Sequence, residues 1–489
     1  MNKVATFPLA ALSICLADNC LASPAQKPNL VLVLVDDLGW GGFSPNKSMY
    51  DDSQLNQEFI KLHVKDYTPK QAHEAAERAT PTLTELCRKG TRFTDAYATA
   101  NVSSPSRAGL LTSRYQQRFG YYINNEVSKG VPLTEKLMSE YLKKEGYTSA
   151  CIGKFHLSPR GEQGGCTQSY HPLDRGFDYY WGFNYHGTDY YDSDLLFRNN
   201  EKVKANGYLT DEFTREALGF IDRAGDQPFV LYLAYNAVHG PLGVPAPEKY
   251  LKHFDYPSKT LNNYYAYLYA VDQGVKQIIE KLRAQGKLDN TMIVFTSDNG
   301  APGGAANALP KNGPFRGFKG QTWQGGVRIP MFIYASGFKS GQESSAIVSH
   351  MDIFPTFMDY AGITPPQNLD GRSLMPILKG NENYQVRNHL VWMSQNAENW
   401  GMYGITDQNI APAGFMVREN NWTLRYDTVE GVFYLFDLNH DLGEKENLAK
   451  KYPDRVDAMK KMFRDWFSQM KEPMVWQPKF WEGVQYWKK

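Results

Sequence analysis

The chain has 489 residues, 42% hydrophobic and 21% charged, which is globular material sufficient for more than one domain. Its 53 Lys+Arg against 52 Asp+Glu leave a formal charge of +1. No global field steers an anionic polymer, so a nucleic-acid partner is not expected and anion recognition has to be local. Aromatic residues reach 14%, serving either a rich core or a surface that stacks on sugar rings.

At the start, Lys3 precedes the apolar run VATFPLAALSICLA and small residues follow in CLASPA. This predicts an export signal over 1–25, cleaved after Ala22 or Ala25, and hence a secreted, periplasmic protein. Cys20 offers a lipid-anchor alternative, against which Asn19 argues, because the processing site prefers a small residue there. The run is too short for a membrane span and no other segment is long and apolar enough. Cys15 and Cys20 fall in this leader; the remaining Cys87, Cys151 and Cys166 allow at most one disulfide, and no CxxC spacing suggests zinc.

NLVLVLV (29–35) is a continuous apolar run bounded by Pro28 and Asp36-Asp37, the pattern of a strand buried on both faces. TPTLTELCRKG (80–90) predicts a helix with Thr80 as cap and Pro81 at its first position. In NVSSPSRAGLLTSRY (101–115), Pro105 fits a first helical position. Ser103 then sits just before a helix N-terminus, where negative charge is favoured, with Arg107 one turn on; an ordinary serine cap is the plainer reading. LTEKLMSEYLKKEG (133–146), YLTDEFTREALGFIDRA (208–224) and YAYLYAVDQGVKQIIEKLRAQG (265–286) read as helices. YTSACI (147–152), PFVLYLAY (228–235) and TMIVFT (291–296) read as buried strands. Strands alternating with helices argue for a parallel sheet covered on both faces. After about residue 380 the texture changes: GFMVRENNWTLRYD (414–427) and GVFYLFDL (431–438) read as a hairpin or meander, and 452–471 as one amphipathic helix. A main domain over 26–380 and a smaller α+β domain over 381–489 are expected.

Ligands bind beyond the carboxyl ends of strands in open parallel sheets, and here those ends are polar. They carry Asp36-Asp37, then Lys154 and His156, then His239, then Asp298-Asn299. Any one alone is an ordinary turn or cap residue; four at one sheet edge form a constellation. Asp36, Asp37, Asp298 and Asn299 offer hard oxygen ligands, which favour calcium or magnesium over zinc. Arg107, Lys154 and Lys319 could surround a small tetrahedral anion. Lys319 lies in the Gly-rich GPFRGFKGQTWQGGVRIP (313–330), where Trp323, Pro314 and Pro330 predict a shaped loop with the lysine pointing inward.

SSPSRAGLLTSR resembles the signature of the type I sulfatases, (C/S)-x-P-S-R-x-x-x-L-T-x-R. NLVLVLVDDLGWGG, GYTSACIGKFHLS, HPLDRGFDYYWGF (171–183), TSDNG, GQTWQGGVRIP and LFDLNHDLGEKENLA (435–449) are similar to further family segments, so the resemblance covers nearly the whole chain after the leader. It implies an α/β fold with an alkaline-phosphatase-like, mostly parallel sheet flanked by helices and a smaller C-terminal α+β domain. It implies that Ser103 is oxidised to formylglycine by a serine-type maturase, and that calcium (Ca2+) is held by Asp36, Asp37, residue 103, Asp298 and Asn299. Arg107, Lys154 and Lys319 would neutralise the sulfate. His239 would protonate the leaving oxygen, and His156 would hold the formylglycine hydrate.

The modification has a chemical reason. A serine sulfate is hard to release, whereas a hydrated aldehyde attacks sulfur with one hydroxyl and expels sulfate through the other. The chain departs from the pattern at Ser103 (Ser for Cys), Ser113 (Gly is usual), Phe155 (Trp) and Gln324 (Glu), and residues 44–79 form an insertion with a capped helix beginning after Thr68. The plan looks closest to the N-acetylgalactosamine-6-sulfatase-like branch. A sulfated glycan bearing a galactose or N-acetylgalactosamine sulfate is the expected substrate, with His171, Asp174, Arg175, Asp189, Tyr190 and Tyr191 as candidate sugar contacts. A phosphomonoesterase or phosphonate monoester hydrolase of the same superfold, and a non-catalytic glycan-binding homologue, are the alternatives.

Overall fold

The structure, a computed structural model, describes residues 26–57, 60–61, 64–303, 311–394, 414–427 and 431–475. The export-signal and lipid-anchor expectations lie outside the described residues.

In chain order the main elements are β1 (Asn29–Val35), α1 (Pro69–Ala79), α2 (Pro81–Lys89), β2 (Thr91–Phe93), β3 (Ala96–Tyr97), α3 (Ser103–Thr112), α4 (Met138–Lys144), β4 (Thr148–Lys154), β5 (Tyr179–Phe183), β6 (Leu196–Arg198), β7 (Glu201–Val203), α5 (Leu209–Ala224), β8 (Phe229–Tyr235), α6 (Lys259–Ala284), β9 (Thr291–Ser297), β10 (Met331–Ala335), β11 (Gln342–Ser344), β12 (Val348–Ser349), α7 (Ile353–Tyr360), β13 (His389–Ser394), β14 (Gly414–Glu419), β15 (Trp422–Asp427), β16 (Val432–Asp437) and α8 (Pro453–Phe467).

A ten-stranded mixed sheet runs in the order β11-β2-β10-β9-β1-β8-β4-β5-β6-β7. Its centre, β9 through β5, is parallel, and β10 and β6 flank that block antiparallel. All seven residues of β1 are buried, and they alternate between two cores. Val31, Val33 and Val35 face α1, α5 and α6; Leu30, Leu32 and Leu34 face α3, α4 and α7. Full burial of each such side chain stabilises by about 1.5–3 kcal/mol, which is why a run without polar alternation is stable only between two helical layers.

The insertion is part of this packing. Thr68 Oγ1 accepts the Gln71 N–H at 3.2 Å while Gln71 Oε1 accepts the Thr68 N–H at 2.9 Å, a reciprocal cap for α1. Ala72, Ala75, Ala76 and Ala79 then bury against the core.

Three local expectations need correction. Helix α3 starts at Ser103, with Val102 as its cap, so Pro105 is the third helical residue rather than the first. The first four helical N–H groups lack intrahelical partners, so proline costs nothing there either. Thr80 does not cap α2 through its side chain; its Oγ1 donates to Ala76 O at 2.9 Å. The 133–146 segment is helical only from Met138, because the Glu140 carboxylate turns back to accept the Leu137 N–H at 2.9 Å and fixes the start there.

Strands β13 to β16 form a separate antiparallel sheet. Met459, Phe463 and Trp466 of α8 cover it, with Phe463 stacked on Phe415 at 3.8 Å. Among the bonds that tie this sheet to the main body are those of two buried residues, Arg418 and Glu444. Arg418 donates to Tyr97 Oη and Asp95 Oδ1, both at 3.1 Å. The buried Glu444, just after β16, accepts the Gln324 N–H at 3.1 Å, and its backbone carbonyl accepts from Arg316. No helix among the described residues is long and apolar enough to cross a membrane.

Candidate active site

Strands β9, β1, β8 and β4 are consecutive neighbours, so residues following them in sequence are neighbours in space. This places Asp298-Asn299, Asp36-Asp37, His239 and Lys154 with His156 at one edge, with the first turn of α3 facing them. Every one of these acids is buried, and Asp36, Asp37 and Asp298 each present an oxygen within 4.8 Å of the others.

The cluster holds three carboxylates and three cations. Arg107, fully buried, donates Nε and Nη2 to Asp298 Oδ2 at 3.1 and 2.8 Å, and Nη1 to the Lys154 carbonyl at 2.9 Å. Lys154 Nζ reaches Asp36 Oδ2 at 2.6 Å. Lys319 Nζ lies 2.7 and 2.9 Å from the two Asp37 oxygens, so the Gly-rich loop does turn this lysine inward. Burial alone would raise the carboxyl pKa values. The Lys154, His239 and Arg107 charges beside Asp36, and chiefly Lys319 and His239 beside Asp37, outweigh it and hold both below the ordinary range. Burial likewise lowers Lys154, against the pull of Asp36. At Lys319 the carboxylates prevail and the pKa is raised.

Ser103 is 1% exposed, at the first position of α3. Its hydroxyl points into the cluster, 3.4 Å from Asp36 Oδ1, 3.3 Å from Asn299 Oδ1 and 3.3 Å from Lys154 Nζ. An oxygen-rich, buried pocket of this kind fits a hard divalent cation, and Asp36, Asp37, Asp298, Asn299 and residue 103 are the side chains that could hold it. At the other end of α3, Ser113 has φ of +55°, which explains why a glycine suits this position. Its hydroxyl donates to Met351 O at 2.5 Å and its carbonyl accepts the Asp370 and Gly371 N–H groups.

The two imidazoles differ. His239 is partly exposed; its Nδ1 lies 2.8 Å from Gly240 O, and since a carbonyl only accepts, the proton sits on Nδ1. Nε2 then faces the site, 3.7 Å from Asp37 Oδ2. His156 is buried at φ of +57°, and its Nδ1 has no hydrogen-bond partner. Burial, reinforced by Lys154 and Arg107, holds its pKa well below the usual value, so the ring is neutral at pH 7.

The candidate sugar contacts differ in how their polar atoms are engaged. His171 is buried, with Nε2 on Asn199 O and Nδ1 accepting the Leu173 N–H. Arg175 is buried against Glu140 and the carbonyls of Val131 and Glu135. Tyr190 is fully buried, stacked on Tyr208 and Tyr267, and its hydroxyl donates to His239 O at 2.9 Å. The polar atoms of all three are thus engaged within the protein, and Tyr190 in particular seats His239. Asp174 and Asp189 are exposed and Tyr191 is half-buried, its hydroxyl on Pro245 O. Gln324 bonds none of the site carboxylates; it accepts from Tyr97 Oη at 2.9 Å at the junction with the C-terminal sheet.

Sequence reasoning missed His186. It follows β5 by three residues at the same sheet edge, and the strand-end signal that marks the other groups was available in GFNYHG. It also missed Tyr232, whose hydroxyl accepts from Arg107, and the buried His350, whose Nε2 donates to Ser297 O at 2.7 Å. Neither carries a local signal, since both look like core residues.

A family model described as Sulfatase matches residues 28–363, and one described as N-sulphoglucosamine sulphohydrolase, C-terminal, matches 318–472. The chain is 38% identical to the uncharacterized sulfatase YdeN of Escherichia coli (strain K12), over 92% of this chain and 87% of that protein. It is 34% identical to the N-acetylgalactosamine-6-sulfatase of Mus musculus, over 73% of this chain and 68% of that one. Among solved structures, Ps i-CgsB in complex with k-i-k-neocarrahexaose superposes with a TM-score of 0.76 at 30% identity, covering 94% of this chain and 97% of that one. The fold is thus alkaline-phosphatase-like, as its sulfatase neighbours are. Because the first of these models spans well over half of the sequence and takes in every buried charge of the cluster, the chain belongs to the sulfatase family and is a sulfuric ester hydrolase.

Proposed function

We propose that the enzyme is an exported, calcium-dependent, formylglycine-type sulfatase that removes an O-sulfate from a galactose or N-acetylgalactosamine unit of a sulfated glycan. The observation that carries the mechanism is the aim of Ser103 Oγ into a buried cluster of three carboxylates and three cations. When formed by a serine-type maturase, the aldehyde at residue 103 supplies, as its hydrate, one hydroxyl to attack sulfur and a second through which sulfate is released. When bound, calcium supplies Lewis-acid polarisation of the sulfate and the nucleophile.

The chain's own residues do the rest. Arg107, Lys154 and Lys319 neutralise the sulfate oxygens as charge moves toward the leaving oxygen. His239, carrying a proton on Nε2, donates it to that oxygen. His156, neutral, accepts a proton from residue 103 and steadies it. The galactosamine-sulfatase relatives and the neocarrahexaose complex support a galactose-type glycan. A phosphonate monoester hydrolase shares the fold at 19% identity, and the all-oxygen donor set here favours sulfate chemistry over a dinuclear zinc phosphoesterase.

The test is mass spectrometry of the peptide containing residue 103 from a maturase-competent host, followed by a screen of position-defined sulfated sugars and matched phosphate esters. The expected result is a loss of two hydrogens from Ser103, seen also as the hydrate, with sulfate release. Turnover of sulfate esters by protein carrying an unoxidised serine would refute the mechanism.

A further inference from the structure

The loop after β5 builds a feature that the hydrolytic chemistry does not use. Strand β5 pairs in parallel with β4, with Phe183 opposite Lys154, so residues 184–187 leave the sheet one strand over from Lys154 and His156. Asn184 pins the exit: it is buried, its Oδ1 accepts the Ser158 N–H at 3.2 Å and its Nδ2 donates to Ser158 O at 2.8 Å. Gly187 packs on the His239 ring so closely that an added Cβ would lie 3.1 Å from Cε1. The loop therefore sits at the mouth of the site.

Tyr185 on this loop is flanked by Arg160, from the segment after β4, and by His186, whose ring is tilted 49° to that of Tyr185. The Tyr185 ring has the Arg160 guanidinium 3.8 Å from its centroid and the His186 ring 3.9 Å from it. Arg160 and His186 are exposed, and neither has an ion pair or hydrogen bond through its side chain among the described residues. Arg160 is held from below as well, by a backbone bridge to Cys166. Burial and the charges of Lys154, His239, Arg160 and Lys319 all keep the His186 pKa down, which places this imidazole in the positive field of the site. An arginine that is stacked, exposed and unneutralised is already oriented for a planar or tetrahedral anion: its fork loses little freedom on binding, and no carboxylate has to be displaced.

We infer that Arg160, Tyr185 and His186 form a second anion subsite, which reads a further sulfate or carboxylate on the glycan beside the scissile ester. The inference rests on the sulfated-glycan reading above and adds to it: the preferred substrate carries two negative groups. Arg160 would take the second anion through its fork, His186 would hydrogen-bond a sugar hydroxyl between the two anions, and Tyr185 would fix their spacing.

The experiment uses the full chain from a host without maturase, so that binding is read without turnover. Calorimetry would compare a galactose-type disaccharide bearing one sulfate with those bearing a second sulfate or a uronate carboxylate. The wild type should bind a two-anion sugar roughly ten- to a hundredfold more tightly, the range set by a charge-assisted bidentate contact. Arg160→Ala should bring that ratio close to one, and Arg160→Lys should recover part of it, with thermal melts confirming that both variants fold. The arm that shows the preference identifies sulfate or carboxylate as the second group. An equal ratio in wild type and Arg160→Ala, or no preference in the wild type, would overturn the subsite. Turnover by matured enzyme is scored separately: sulfate release without the preference sinks the subsite alone, and the preference without release supports the subsite while sinking the sulfatase reading.

Discussion

Glu444 offers a quantitative test of how the Gly-rich loop is held. Its carboxyl is fully buried where the C-terminal sheet meets Gln324, with one oxygen accepting the Gln324 N–H and the other without a partner. Burial is the main cause that pushes its pKa up from 4.5 to about 8, and Arg316 and Arg425 only partly offset it. Unfolded chains lose this proton near the ordinary glutamate value, while the folded protein keeps it to about pH 8. The contribution to stability is therefore full below about pH 4.5 and is lost as pH rises through about 8. At ~1.4 kcal/mol per pH unit the loss reaches roughly 5 kcal/mol across that window, an upper figure for one group. Glu444→Gln keeps the shape and fixes the uncharged form, so it should remove this part of the slope. Urea denaturation of wild type and variant at pH 5.5, 7 and 8.5 measures it, and the difference between the two proteins cancels other buried acids such as Glu126, also pushed up to about 8. The variant should gain on the wild type as pH rises, by several kcal/mol at pH 8.5. Parallel profiles would refute the claim that the junction folds around a protonated carboxyl.

Other outcomes follow from the site. Arg107→Ala strands the buried Asp298 carboxylate and should cost ~3–5 kcal/mol in a denaturation assay as well as turnover, whereas Arg107→Lys should recover part of the stability while leaving kcat reduced by about a hundredfold or more. Gly187→Ala should displace His239 and lower kcat roughly tenfold on sugar sulfates, whose alkoxide needs a proton, but much less on an activated aryl sulfate; equal losses on both would remove His239 from the acid role. Chelation of matured enzyme should abolish sulfate release and lower Tm, with calcium restoring both better than zinc; undiminished activity after exhaustive chelation would exclude a required cation.

The sheet centre was legible because its strands are buried on both faces: a run such as NLVLVLV fits nothing else well, and its ends were where polar residues had to be examined. The short edge strands β2, β6, β7 and β11 gave no such signal, since three residues are too few for a period. The charged cluster could be anticipated because its members other than Lys319 follow a strand or lie in the first turns of a helix, and the sheet order does the rest; Lys319 was legible through its Gly-rich, Trp- and Pro-flanked loop. The internal partners of the sugar-contact candidates could not be anticipated. His171 and Arg175 belong to a motif that folds on itself, and Tyr190 sits beneath His239, features that depend on side-chain direction within loops. His186 was overlooked for the opposite reason, because its strand was read as part of that motif and not as an edge.

The balance of charge within the cluster also bears on how a cycle ends. Asp36, Asp37 and Asp298 are matched one for one by Arg107, Lys154 and Lys319, so the protein arrives neutral and any divalent ion leaves an unspent surplus of positive charge. A sulfate ester carries one negative charge, but the inorganic sulfate cut from it carries two, and Coulomb attraction in so dry a setting grows with that charge. With such an ion held there, inorganic sulfate would be bound more tightly than the ester it came from, and initial rates should fall as sulfate, or its look-alike phosphate, accumulates outside.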